Sequence, residues 1–276
     1  MNKPPAFDSS AFRAFERSGW QKAAHRYPDY FTVLTSQVLD SLLDAVGARS
    51  GVRLLDVASG PGNGTAQAAQ RGAIAIGADI SPVMAAHARR QYPEVPFVVA
   101  DAEDLPFADG AFEAVMTNFG ILHLGQPERA LREACRVLRP GGRVGFTVWA
   151  KPEEAVGFGI LLRSVEAHGN PHVPLPPGPP FFRFSDSQEC RRVLEEAGFA
   201  EPKVVQVPQT WRLPSADILL EAFLVATVRT GALLRAQSPW ALQAIRAAVR
   251  EACKAYEKDG VIELPMPAVL ACALKP

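Results

Sequence analysis

Apolar residues recur at three- and four-residue spacings from Ser9 to about Val46, at Phe12, Phe15, Ala23, Val33, Leu34, Val38, Leu42 and Leu43. This spacing predicts two or three helices, with Pro28 marking a break. The period then changes. The glycine-bounded run VRLLDVA reads as a strand buried on both faces, and GTAQAAQRG as the helix after it. The alternation repeats: strand AIAIGAD (73–79), a capping Ser81 with Pro82 at the first helical position, helix VMAAHARRQ, then strand PFVVAD (96–101). An acidic loop, AEDLPFADG, leads to a fourth strand within AFEAVMTNF (111–119), ending near Thr117 or Asn118. In PERALREACRVL (127–138) the residues Ala130, Leu131, Ala134, Cys135 and Leu138 share one helix face. The run Arg139-Pro140-Gly141-Gly142 stops that helix, and RVGFTVWA is the fifth strand. Strands alternating with helices predict a parallel sheet with right-handed crossovers, the doubly wound α/β class.

The second half loses this rhythm. PHVPLPPGPP (171–180) suits neither strand nor helix and reads as a stiff extended loop over a site. SDSQECRRVLEEAGF is a helix capped by Ser185 or Asp186 and stopped by Gly198, and KVVQVPQTWRL (203–213) alternates like one strand. Residues 215–258 read as mostly helical, and MPAVLACALK as a last apolar strand.

Composition narrows the partners. Among 276 residues, 48% are hydrophobic and the 29 basic residues balance the 29 acidic ones, which supplies a core but no global field for nucleic acid or an anionic membrane. Small molecules are the expected partners. The stretch MNKPPAFDSSAFRAFE is broken by charge and proline and lacks a signal-peptide core, so a cytoplasmic location is expected. Cys135, Cys190, Cys253 and Cys272 form no C-x-x-C pair, and neither a metal site nor a disulfide framework is expected.

In an open parallel sheet ligands bind at the carboxyl ends of the strands. Those ends carry Asp56 with the turn Ala58 to Gly64, then Asp79, Asp101, and Asn118 with Phe119. The turn G-P-G-N-G departs from the dinucleotide fingerprint G-x-G-x-x-G, since Thr65 stands where the third glycine belongs. Asp56, just before the loop, disfavours a diphosphate and favours a cationic ligand. Asp79 is placed to accept from both hydroxyls of a ribose, the helix-capping role being better filled by Ser81. Asp101 offers an acceptor to an exocyclic adenine amine and the Ala102 amide a donor to a ring nitrogen; a solvated loop acid is the other reading of Asp101.

Together, LLDVASGPGNGTA, GADISPVMAAHAR, VVADAEDLPFADGAFEAVMTNFGILHL and ALREACRVLRPGGRVGFTVW resemble the successive motifs of class I S-adenosylmethionine-dependent methyltransferases. The closest likeness is to the ubiquinone and menaquinone C-methylation branch (methyltransferase type 11), over residues 50 to 150. The resemblance implies a Rossmann-like, seven-stranded, mostly parallel sheet with an N-terminal helical lid and a helical insertion before the last strand. It implies one structural domain: lid 1–48, cofactor-binding core 49–150, proline-rich cap loop 151–184, and a C-terminal part 185–276 with the insertion at about 215–260. S-adenosyl-L-methionine is the implied cofactor and S-adenosyl-L-homocysteine the product. Asp56, Ala58, Ser59 and Gly60 would line its methionine portion, Asp79 and Ile80 the ribose and adenine, Asp101 and Ala102 the adenine edge, and Asn118 with Phe119 the sulfonium. Ala58 departs from the family's glycine and narrows the approach to the cofactor. Trp20, Tyr27, Tyr30 and Phe31 cluster where an aromatic lid is expected, Trp20 and Tyr30 being taken as cofactor contacts; anchoring the helices on the sheet is the alternative.

His123, just past the fourth strand, is the best-placed base for an acceptor that must lose a proton, or else a residue that caps or packs on the next helix. His168 and His172 rank below it. Trp149, Phe158, Phe181, Phe182 and Phe184 predict a largely apolar acceptor, or alternatively form the cap's own core. The expected enzyme is a monomer or homodimer. Its rivals are a nicotinamide-dependent oxidoreductase and a protein of the same fold that binds the cofactor without methyl transfer.

Overall fold

The computed structural model describes residues 7–276; the first six residues of the expected lid, and of the N-terminal stretch read for a signal peptide, lie outside it. Four short helices come first: α1 (Ser9–Ala23), α2 (Tyr27–Tyr30), α3 (Thr32–Thr35) and α4 (Leu39–Ala45). Asp8 starts α1 by accepting from the amides of Ser10 and Ala11. The core follows as β1 (Arg53–Val57), α5 (Asn63–Gln70), β2 (Ile74–Asp79), α6 (Pro82–Gln91), β3 (Phe97–Val99), β4 (Phe112–Asn118), α7 (Pro127–Val137) and β5 (Leu138–Trp149). Ser81 caps α6 through the Met84 amide with Pro82 behind it, as the sequence predicts.

The chain then runs through α8 (Val156–His168), α9 (Ser187–Glu196), β6 (Ala200–Val207), β7 (Thr210–Leu213), α10 (Ala216–Ala226), α11 (Arg229–Arg235), α12 (Pro239–Cys253), β8 (Glu257–Lys258), β9 (Val261–Pro265) and β10 (Ala268–Leu274). The main sheet has seven strands in the order β3-β2-β1-β4-β5-β10-β6. All its pairs are parallel except the two made by β10. This is the expected doubly wound, mostly parallel architecture, and the strand order reverses at β1 and β4, where such sheets bind ligands.

Three local readings change. Residues 139–142 lie inside β5 and not before it, because the pairing with β4 jumps from Phe112–Leu138 to Ala114–Arg143. Gly141 takes φ 77° in that bulge, a conformation glycine adopts without a Cβ penalty. The stretch 203–213 is two strands: β6 stays in the main sheet, Pro208 and Gln209 turn the chain, and β7 joins β9 and β8 in a separate three-stranded sheet. Proline cannot continue a ladder, and the second sheet takes part of the region read as helical. Finally, the segment expected as a cap loop contains α8, which buries Phe158, Ile160, Leu161 and Val165. Gly157 and Gly159 disguise this helix, yet Gly159 is required: a Cβ there would sit 2.2 Å from the Pro152 carbonyl oxygen.

Candidate active site

The carboxyl ends of β1, β2, β3 and β4 open into one cleft of about 1060 Å³ empty volume, its open mouth included. Asp56, Ala58, Ser59, Gly60, Asp79, Ile80, Asp101, Ala102, Asn118 and Phe119 all line it, and α1 brings Trp20 to the same space. Two backbone turns aim these groups. Ala58 leaves β1 at φ 56° and Phe119 leaves β4 at φ 53°, both in the left-handed region that costs a non-glycine residue about 1–2 kcal/mol. Gly120 lets the turns approach, since a Cβ there would lie 2.6 Å from that of Ala58.

The acids differ in what they still offer. Asp56 is buried and accepts from the Thr65 hydroxyl through Oδ2 at 2.7 Å, while its Oδ1 is buried without a partner. Burial pushes its carboxyl up to about 7, against the Thr65 bond and with the Asp79 charge adding to the rise. Asp79, also buried, accepts from the Gly60 amide through Oδ2 and the Ser81 amide through Oδ1, each at 2.8 Å. Burial again pushes its carboxyl up, opposed by those two amides. A carboxylate oxygen has a second lone pair, so both stay available to hydroxyl donors. Asp101 likewise has one donor on each oxygen, one of them a charged partner: Arg13 of α1 donates to its Oδ2 at 2.7 Å, and the Glu103 amide to its Oδ1 at 2.9 Å.

Several features point to a ligand. Asp56 Oδ1, Ser59 Oγ and Thr32 Oγ1 are buried, unpartnered polar atoms on residues lining the cleft. Buried polar groups are rarely left unmade, and a bound polar molecule would satisfy them. Above Gly60, at φ 53°, nothing lies within 4 Å of where a Cβ would stand, so that space is a cradle of backbone and air. The donors and acceptors present suit a nucleoside with an amino-acid tail carrying a cationic centre.

Asn118 holds the two layers together. Its Nδ2 donates to the Thr35 carbonyl at 2.9 Å and its Oδ1 accepts from Thr147 Oγ1 at 2.6 Å. Phe119 stacks on Trp149 with ring centroids 4.0 Å apart. His123 points its Nδ1 at Glu16 Oε2, 3.1 Å away, and meets Trp20 edge-on at 4.8 Å between centroids. Tyr30 does not reach the cleft. Its hydroxyl accepts from Arg26 at 2.6 Å and donates to Glu221 of α10 at 2.9 Å, on the outer side of the helix layer. Tyr27 takes the inner position, half-buried beside Trp20, its hydroxyl pushed up to about 12 by desolvation and therefore a neutral donor.

Glu16 and Arg13 are site residues that the sequence reading does not single out. Phe12, Glu16 and Trp20 are spaced four apart on one face of α1, and a glutamate on an apolar stripe was the available signal. Adjoining the cleft, with Phe119 and His123 lining both, is a smaller chamber walled by Trp20, Tyr27, Phe31, Trp149, Phe158 and Phe181, with Thr227 and Arg229 contributed by the C-terminal insertion.

A methyltransferase domain family matches residues 55–146, the stretch that builds β1 to β5 and the cleft floor. Demethylmenaquinone methyltransferase of Beutenbergia cavernae is 42% identical over 121 residues, which is 42% of this chain and 50% of that protein. Among solved structures, a methyltransferase fold from Bacillus halodurans superposes with a TM-score of 0.57 at 21% identity, covering 87% of this chain and 99% of that one. Phosphoethanolamine N-methyltransferase 2 of Haemonchus contortus, solved with S-adenosylhomocysteine, gives 0.58 at 19% identity, covering 96% of this chain and 60% of that one. The core shares the Rossmann-like fold of those structures, and residues 55–146 resemble a methyltransferase domain. A ubiquinone/menaquinone biosynthesis C-methyltransferase of Idiomarina loihiensis is 37% identical over 123 residues, which is 41% of this chain and 49% of that protein. The chain spans about half the length of the curated relatives it matches.

Proposed function

We propose that this protein is an S-adenosylmethionine-dependent methyltransferase acting on a small, largely apolar acceptor. One observation supports this most: the residues expected around the cofactor, Tyr30 apart, line a single cleft at the switch point of the sheet, and an aromatic chamber adjoins it, sharing Trp20, Tyr27, Phe119 and His123. The bound cofactor supplies a methyl group already activated on a sulfonium, so in-line displacement needs alignment and dryness more than a strong catalyst.

The chain's own residues divide that work. Asp79 receives the ribose hydroxyls while the Gly60 and Ser81 amides hold its oxygens in place. Asp56 meets the cationic amino-acid end with its unpartnered oxygen. Asp101 and Ala102 border the adenine, with Arg13 drawing α1 over it. Asn118 and Phe119 mark the boundary between cleft and chamber, where the acceptor atom must lie. His123 takes the proton from an acceptor that has one to lose, and Glu16 fixes the imidazole so that Nε2 is the free nitrogen.

The substrate is a small molecule. We take it to act without nucleic-acid or membrane partners, for which its balanced charge offers no field, and to be a cytoplasmic monomer or homodimer. Among the described residues no helix is long and apolar enough to cross a membrane. The test is a labelled-methyl screen over phenols, quinones, sterols and amines. Transfer to at least one, with stoichiometric S-adenosylhomocysteine, is expected; tight cofactor binding with no transfer to any class would favour the cofactor-binding, non-transferring alternative.

A further inference from the structure

The aromatic chamber contains one permanent charge. Arg229 opens α11 and lines the chamber with Thr227 and Thr230. Its guanidinium lies over two rings, 5.3 Å from the Phe12 centroid and 5.7 Å from that of Phe181. Of its five N–H donors, one is engaged among the described residues: Nη1 donates to the Pro179 carbonyl at 2.9 Å. No carboxylate pairs with it within 4.0 Å among those residues. Glu16 is the acid whose field reaches it; the Glu16 Oε2 meets His123, while its Oε1 is buried without a partner among the described residues.

Arg229 is half-buried, so its guanidinium keeps part of its hydration. Burial lowers its pKa, and a guanidinium still keeps its proton at neutral pH. The two rings offset part of the hydration it loses. The Pro179 bond shows what Arg229 does for the fold, since it ties the proline-rich loop to the insertion. It leaves Nε and Nη2 without a protein partner among the described residues and within reach of solvent or a ligand. A planar guanidinium is suited to bidentate recognition of a carboxylate, and the surrounding rings are suited to a flat apolar body.

We infer that Arg229 is the recognition residue for a carboxylate on the acceptor, so that the chamber selects flat aromatic acids over their neutral esters and over amines. This rests on the methyltransferase reading, because the chamber is an acceptor site only if the cleft holds the cofactor. His123 and Arg229 flank the same ring, Phe181, at centroid distances of 5.8 and 5.7 Å.

The experiment titrates the full-length protein, saturated with S-adenosylhomocysteine, with salicylate, methyl salicylate and tyramine by calorimetry. Cofactor binding is measured first, and its absence would refute the methyltransferase reading itself. Given that binding, salicylate should bind more tightly than its ester or tyramine. Arg229→Gln should weaken salicylate about tenfold or more while leaving the ester unchanged, and Arg229→Lys should recover part of the loss. The unchanged ester affinity and melting temperature report that the chamber is intact. Equal affinity for acid and ester, preference for tyramine, no binding of salicylate, or no effect of Arg229→Gln would each overturn the inference.

Discussion

Glu16 and His123, 107 residues apart in the chain, meet at 3.1 Å where α1 crosses the end of the sheet. The contact joins the lid to the boundary between cofactor cleft and aromatic chamber, and it fixes which imidazole nitrogen is free. In the proposed mechanism Glu16 acts through His123 and is a positioning residue. With an acceptor that loses a proton, His123→Ala should lower kcat about a hundredfold and Glu16→Gln about tenfold, both with KM for the cofactor unchanged. The double variant should be no slower than His123→Ala, because the two act as a unit. Additive losses, or a cofactor KM that rises with kcat intact, would mean that Glu16 only packs the lid.

Asp56 links stability to pH. Its folded carboxyl, at about 7, lies above the ordinary 3.8, so the folded state binds a proton that the unfolded chain has released. Stability is thus lost as pH rises from about 4 to 7 and stays reduced above it. Asp56→Asn should melt higher than the wild type at pH 8, by up to about 4 kcal/mol in stability, and the difference should vanish toward pH 4. The same variant should bind S-adenosylmethionine more weakly. Melting curves that differ equally at both pH values would contradict the assignment.

Ala58 occupies a left-handed turn at φ 56° where the resembling family carries glycine. Ala58→Gly should raise stability by roughly 1 kcal/mol, the relief of strain exceeding the entropy glycine adds to the unfolded chain. Its cofactor affinity should hold or improve, since the missing Cβ widens the approach. A lower melting temperature would show that the Cβ makes packing worth more than the strain.

The alternating strands and helices made the core legible because each buried strand is a short apolar run bounded by glycine, and strand ends fall where the runs stop. That located Asp56, Asp79, Asp101 and Asn118 without any knowledge of the sheet. What stayed hidden depends on long-range packing. Tyr27 and Tyr30 look alike in sequence, and only Glu221, far along the chain, draws Tyr30 outward. Gly157 and Gly159 argued against α8, since their close approach to Met266 and Pro152 is invisible locally. Pro208 was a fair warning that 203–213 is not one strand. Arg229 carried no local signal: VATVRTGALL reads as an ordinary helix start, and its placement among aromatic rings follows from how the insertion folds back on the lid.

The central claim is that the cleft binds a sulfonium nucleoside through Asp79. Calorimetry with S-adenosylmethionine, S-adenosylhomocysteine and NADH, on the wild type and on Asp79→Ala, tests it directly. The account predicts binding of both adenosyl ligands, none of NADH, and at least a tenfold loss in Asp79→Ala, in a variant still shown to be folded by its melting curve. Tight NADH binding without S-adenosylmethionine binding, or unchanged affinity in Asp79→Ala, would contradict it.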